Sequence, residues 1–220
     1  HMNHLRYDFS SADKTASQVM LHEFAHRWLY YLEVELPLED DRVLNPVSAH
    51  PAAYVHTPSA FPLYGADEAS VMGGGFFTPL SSDTYRASAA NYGYSWTDLY
   101  AMGLADASEV PPWFFLKGTT LPQQYFPPDG ITVTGTRKSV NIEHVRRQLG
   151  FRVPDTTSSD HHFRVLFVLV TEEGHPATDA DLTTMRQWRS ISERDFATAT
   201  GRRASVRTSF AKMNKRRAVQ

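Results

Sequence analysis

Three residues in the stretch "SQVMLHEFAHRWLYYL" have the types and spacing for hydrolytic chemistry: His22, Glu23 and His26. The surrounding residues favour helix. Positions i and i+4 of an α-helix share one face about a turn apart, so His22 and His26 can address one ion from the same side. Neutral imidazole nitrogen suits zinc, which it binds at about 2.0–2.1 Å. Glu23 lies about 100° further round the helix. That is a poor place for a third ligand and a good one for a general base acting on water acidified by the metal. The bland alternative is a buried helix with two incidental histidines. The apolar neighbours Val19, Phe24, Ala25 and Trp28 would keep a metal site dry.

Two histidines do not complete a zinc site. Asp98 is the first candidate for the third ligand, as an acid in an otherwise apolar and aromatic run that needs a cation or a cap to justify burial. The competing role for Asp98 is to cap its own helix. His50 is the second candidate and His56 the third, both in a long segment that could fold over the ion. Glu68 stands in the same segment. Tyr94 and Tyr100 are candidate oxyanion donors. Met72 and Met102 are candidates for the floor of the site. Glycines 73 to 75 could offer a backbone edge to an extended substrate.

The segment resembles the active-site helix of the zincin metallopeptidases, whose HExxH histidines bind zinc and whose glutamate activates water. Leu29 and Leu32 stand where the metzincin branch has a glycine and a third histidine, so the resemblance does not extend to that branch. No glutamate-bearing E-x-x-x-D pair lies at the gluzincin distance. "SWTDLYAMG" is loosely similar to the aspartate-bearing segment of the aspzincins, with different spacing. The runs "EASVMGG", "DLYAMGL" and "EVPP" also resemble a group of bacterial, exported zincin-like proteins. The substrate of that group is poorly defined, and the likeness to it implies a secreted or periplasmic location; the zincin metallopeptidase resemblance implies a peptide or protein substrate. The opening His1–Met2 pair reads as a cloning remnant, so a missing leader is no argument for the cytoplasm. Zincins place a sheet before the HExxH helix, and only 21 residues precede His22. The chain is then a piece of a longer protein, or takes its sheet from later strands, or is a reduced version.

The elements that must position these residues follow from periodicity and punctuation. A helix is expected over 14–35, with Ser10, Ser11 or Asp13 near its start. Residues 36–94 show no sustained period, and their many aromatics suggest an ordered lining. "SWTDLYAMGLA" (95–105) predicts a helix with Ser95 as N-cap and Asp98 as its capping-box partner. A strand at 131–134, a helix at 141–150 with a glycine stop, a helix over 179–199 and a last strand in "RRASVRTSF" complete the set. "FRVLFVLV" (163–170) is apolar on both faces and predicts a central strand.

The 220 residues are 41% hydrophobic and 12% aromatic, enough for a real core. The fold class expected is α+β: a zincin-like helix with long ordered loops and a small sheet packed by C-terminal helices. Two arrangements are open: a division into a metal-site region (1–110) and an α+β region (111–220), or a single domain that joins them. No cysteine is present, which excludes disulfides and thiolate chemistry. The net charge of −2 gives no field toward nucleic acid, and aromatic and basic residues do not interleave as a stacking platform. No apolar run reaches membrane-span length. The function expected is a zinc-dependent metallopeptidase, with His22, His26 and Asp98 on zinc and Glu23 as base. A zinc hydrolase of non-peptide amides would use the same chemistry. A non-catalytic zinc-binding structural or interaction domain is the alternative from another class.

Overall fold

A computed structural model describes residues 12–28, 50–121 and 126–209. The chain is α+β, as expected. Helix α1 spans Ala12–Ala25 and runs into a turn at 26–28, in which the His26 N–H still bonds to His22 O at 3.3 Å. The expected continuation to residue 35, and the caps at Ser10 and Ser11, lie outside the described residues.

One face of α1 carries Leu21, Phe24 and Ala25, and Trp28 in the turn that follows continues the stripe. Leu21 and Ala25 are buried. Phe24 meets Phe196 and Phe163 edge-on, with ring centroids 5.1 and 5.5 Å away. Such contacts suit the ring quadrupoles. The long helix that supplies Phe196, α4 (Asp179–Ala199), begins at a Thr178–Asp181 capping box. Its bounds match the sequence expectation, because the amphipathic stripe is a local signal.

Residues 50–94 are more structured than the aperiodic sequence predicts. They form β1 (Val55–His56), β2 (Ala69–Ser70), β3 (Phe76–Pro79), β4 (Thr84–Ser88) and β5 (Asn91–Gly93). Two of these strands have two residues each, too short to display a period. Helix α2 (Trp96–Ala101) follows, capped by Ser95 and Asp98. Beyond it lie β6 (Trp113–Lys117), β7 (Thr132–Thr134), β8 (Thr136–Val140), α3 (Ile142–Leu149), β9 (His162–Arg164) and β10 (Ser205–Arg207). Gly150, at φ 82°, ends α3 as expected.

Four small sheets result. Two are three-stranded and antiparallel, in the orders β1-β6-β8 and β3-β4-β7. Two are parallel pairs, β2-β5 and β9-β10. The β2-β5 pair lies beside α1, so the strands nearest the HExxH helix come from later in the chain.

The central strand is β6, which the sequence did not predict. Trp113 and Phe115 enter the main core, while Phe114 and Leu116 enter a second cluster with Phe77, Tyr85 and Val133. That alternation is the strand period with both faces covered. The expected central strand at 163–170 is corrected. Its ladder covers His162–Arg164, with one further bond from Val165 N–H to Arg207 O. Leu166, Val168 and Val170 are exposed, the last at 84%. An apolar run becomes a central strand only when partners flank it, and here β10 spans three residues.

The main core joins Leu21, Val55, Met72 and Leu99 to Trp113, Val140, Phe163, Phe196 and Val206. It therefore draws from both sides of the expected division at 110/111. Among the described residues no helix is long and apolar enough to cross a membrane.

Candidate metal centre

With the apolar stripe of α1 fixed in the core, His22 and His26 fall on another side of the helix. His50 meets them there. One donor atom from each of the three lies within 4.8 Å of the other two. The His22 and His50 rings stack at 4.9 Å, and His26 stands edge-on to both, at 4.7 and 5.0 Å.

Two backbone carbonyls decide the tautomers. A carbonyl only accepts, so His22 Nδ1–H donates to Val71 O at 2.8 Å and His50 Nδ1–H to Met72 O at 2.9 Å. Each ring then carries its lone pair on Nε2. His22 Nε2 faces His26 Nε2 at 3.1 Å. A proton on His26 Nε2 makes this a hydrogen bond to His22, and a cation held by both rings would take that proton's place. Two zinc–nitrogen bonds at a tetrahedral angle set their nitrogens about 3.3–3.4 Å apart, close to this pair. At His22 and His50 the arrangement fits one requirement of a histidine-bound metal: the nitrogen opposite the ligand atom is bonded to an acceptor.

Burial lowers the pKa of His22 and of His50, and the neighbouring imidazoles add to it. The two carbonyl bonds oppose this only in part. Both rings are therefore poised neutral, the form that binds metal. Glu23 is exposed beside them. It is near enough for its charge to act on both His22 and His50, pulling their pKa values upward.

The carbonyls reach the rings because the chain turns sharply after Met72. Gly73 and Gly74 take φ of 136° and 74°, a region that favours glycine. A Cβ on Gly74 would lie 2.6 Å from Val55 O and 2.5 Å from Thr57 Oγ1.

Asp98, the first candidate for third ligand, does not join the histidines. It is fully buried at position N3 of α2, where Oδ2 accepts Ser95 N–H at 2.7 Å and Ser70 Oγ–H at 2.6 Å. Its capping role, weighed from the sequence as the alternative, is the one the structure displays. Burial pushes its carboxyl up to about 6, against the pull of the Ser70 and Ser95 hydrogen bonds. His50, the second candidate, takes the place expected for Asp98. The sequence signal for it was only its type, since a ligand supplied by a loop has no fixed spacing from the helix.

The remaining candidates are engaged elsewhere. His56 Nδ1 accepts Phe77 N–H at 3.0 Å, and its ring stacks on Phe114 at 4.4 Å. Glu68 accepts the backbone N–H groups of Leu63, Tyr64 and Gly65. Tyr94 Oη–H donates to Leu21 O at 2.8 Å, so it braces α1. Tyr100 Oη accepts Arg152 N–H at 3.3 Å. Met72 and Met102 are core residues. The glycines 73–75 offer no open edge: Gly75 pairs with Val55 and Thr57, Gly73 O accepts Thr57 Oγ1–H, and Gly74 O accepts Asn91 Nδ2–H.

Comparisons of the chain with protein-family models, with curated proteins and with solved structures return no match.

Proposed function

We propose that the protein is a zinc-dependent metallopeptidase, with His22, His26 and His50 as the ligands and Glu23 as the general base. The observation that carries this is the convergence of three histidines, two with tautomers set by carbonyls, beside a carboxylate on the same helix. Three neutral nitrogens favour zinc over magnesium or calcium, which prefer oxygen.

Zinc held there would acidify a coordinated water and polarise a substrate carbonyl. His22 and His50 bind through Nε2 while Val71 and Met72 keep their rings from swinging. Glu23 accepts the proton of the attacking water and passes it to the leaving amine. Among the described residues three donors converge, and a catalytic zinc held by them would keep its fourth position for water or substrate. Peptide is the substrate class this glutamate-and-histidine arrangement serves in zincins, which the α1 motif resembles.

The test is peptide-library cleavage with the zinc-loaded protein. Cleavage should vanish with chelator and return with zinc. Glu23→Gln should keep the metal and lose roughly 10²–10⁴-fold in turnover, the range for a general base. Zinc bound with no hydrolysis in wild type or variant would leave a binding domain and remove the peptidase.

A further inference from the structure

The carbonyls that hold His22 and His50 belong to adjacent residues, and a buried polar chain fixes that pair from beneath. Ser70 Oγ–H donates to Asp98 Oδ2 at 2.6 Å, and Ser70 Oγ accepts Met72 N–H at 3.0 Å. Val71 N–H donates to Gly93 O at 2.7 Å, and Asn91 Nδ2–H donates to Ser70 O at 2.7 Å. Asp98 and Ser70 are wholly buried, and Asn91 nearly so.

A cap alone does not account for this burial. Among the described residues two other acids stand at N3 of capping boxes, Glu109 and Asp181, and both are exposed. Asp98 performs the same capping and takes a second donor, Ser70, while Oδ1 has no partner. Burying a carboxylate with one oxygen unsatisfied is costly. The contact with Ser70 is what the buried position adds over an exposed cap.

We propose that Asp98, acting through Ser70, is a positioning residue for the metal site, which holds the Val71–Met72 backbone so that its two carbonyls orient His22 and His50. This rests on the histidines being zinc ligands. The carboxylate draws the Ser70 hydrogen and makes Oγ a stronger acceptor for Met72 N–H. With that bond in place the residues between Ser70 and Gly73 cannot rotate, and both Nδ1–H groups keep their acceptors. Partners of this kind, one shell outside the ligands, set ring orientation and metal affinity.

The test is zinc affinity of the full chain, by competition with a chromophoric chelator, together with the visible spectrum of the cobalt form. Ser70→Ala should weaken zinc binding about 10–100-fold and alter the cobalt bands. Asp98→Asn, which keeps the shape and the Ser95 contact, should weaken it by a smaller factor. It carries the inference if Ser70→Ala does not fold. Ser95→Ala removes a cap hydroxyl, so it should lower the thermal midpoint and leave zinc affinity unchanged. Zinc affinity within about twofold of wild type in the folded Ser70→Ala and Asp98→Asn proteins would overturn the proposal and leave Asp98 a helix cap. Failure of the wild type to bind zinc would instead remove the metal centre itself.

Discussion

A buried histidine can serve two ends, and the difference lies in which nitrogen is occupied. At His22 and His50 the donor nitrogen is bonded inward to a carbonyl, and each ring stands among the other histidines. At His56 the bare nitrogen is itself spent, accepting Phe77 N–H. Burial, with the nearby charge of Arg137, takes His56 from 6.5 down to about 4. Below pH 6.5 the unfolded chain binds a proton that the folded chain refuses until about pH 4. Stability contributed by neutral His56 is therefore present above that window and lost as pH falls through it, by on the order of 3 kcal/mol. Urea unfolding of the metal-free protein between pH 7 and pH 4 should show this slope, and His56→Gln should flatten it. An unchanged slope in the variant would assign the acid sensitivity to other groups.

At the scale of elements, α1 is positioned by its apolar stripe and the histidines follow. Phe196 of α4 is 2% exposed and packs edge-on to Phe24 and Tyr94. Phe196→Ala should cost about 3–5 kcal/mol, read as a lower urea midpoint. Because this contact seats α1 against the β2-β5 pair, the variant should also bind zinc more weakly than a surface control such as Thr198→Ala. The glycine turn is the second positioning element. Gly74→Ala would combine a positive φ with a clash against Val55 O and Thr57, and should damage both folding and the site.

For the whole molecule, one core links α1 to the last strand, with members on both sides of residue 110. Thermal unfolding should then be a single cooperative transition, by calorimetry and by circular dichroism alike. Two separated transitions would restore the division into a metal-site half and an α+β half. Zinc that binds only the folded form should raise the midpoint, by about 2.7 kcal/mol of stability at a hundredfold excess over its dissociation constant. His50→Ala should lose most of that gain, and His56→Gln should keep it.

Local order was legible in the residues themselves. The HExxH pair, the capping box of α2, the glycine stop of α3 and the bounds of α4 all depend on neighbours within a few positions, so spacing alone fixes them. The third histidine, the burial of Asp98, the central place of β6 and the exposure of Leu166 and Val168 depend on what lies across the fold. A side chain's chemistry is written in its type. Which nitrogen is bare, and what it faces, is set by carbonyls and partners brought from some 50 positions away, as Val71 is to His22.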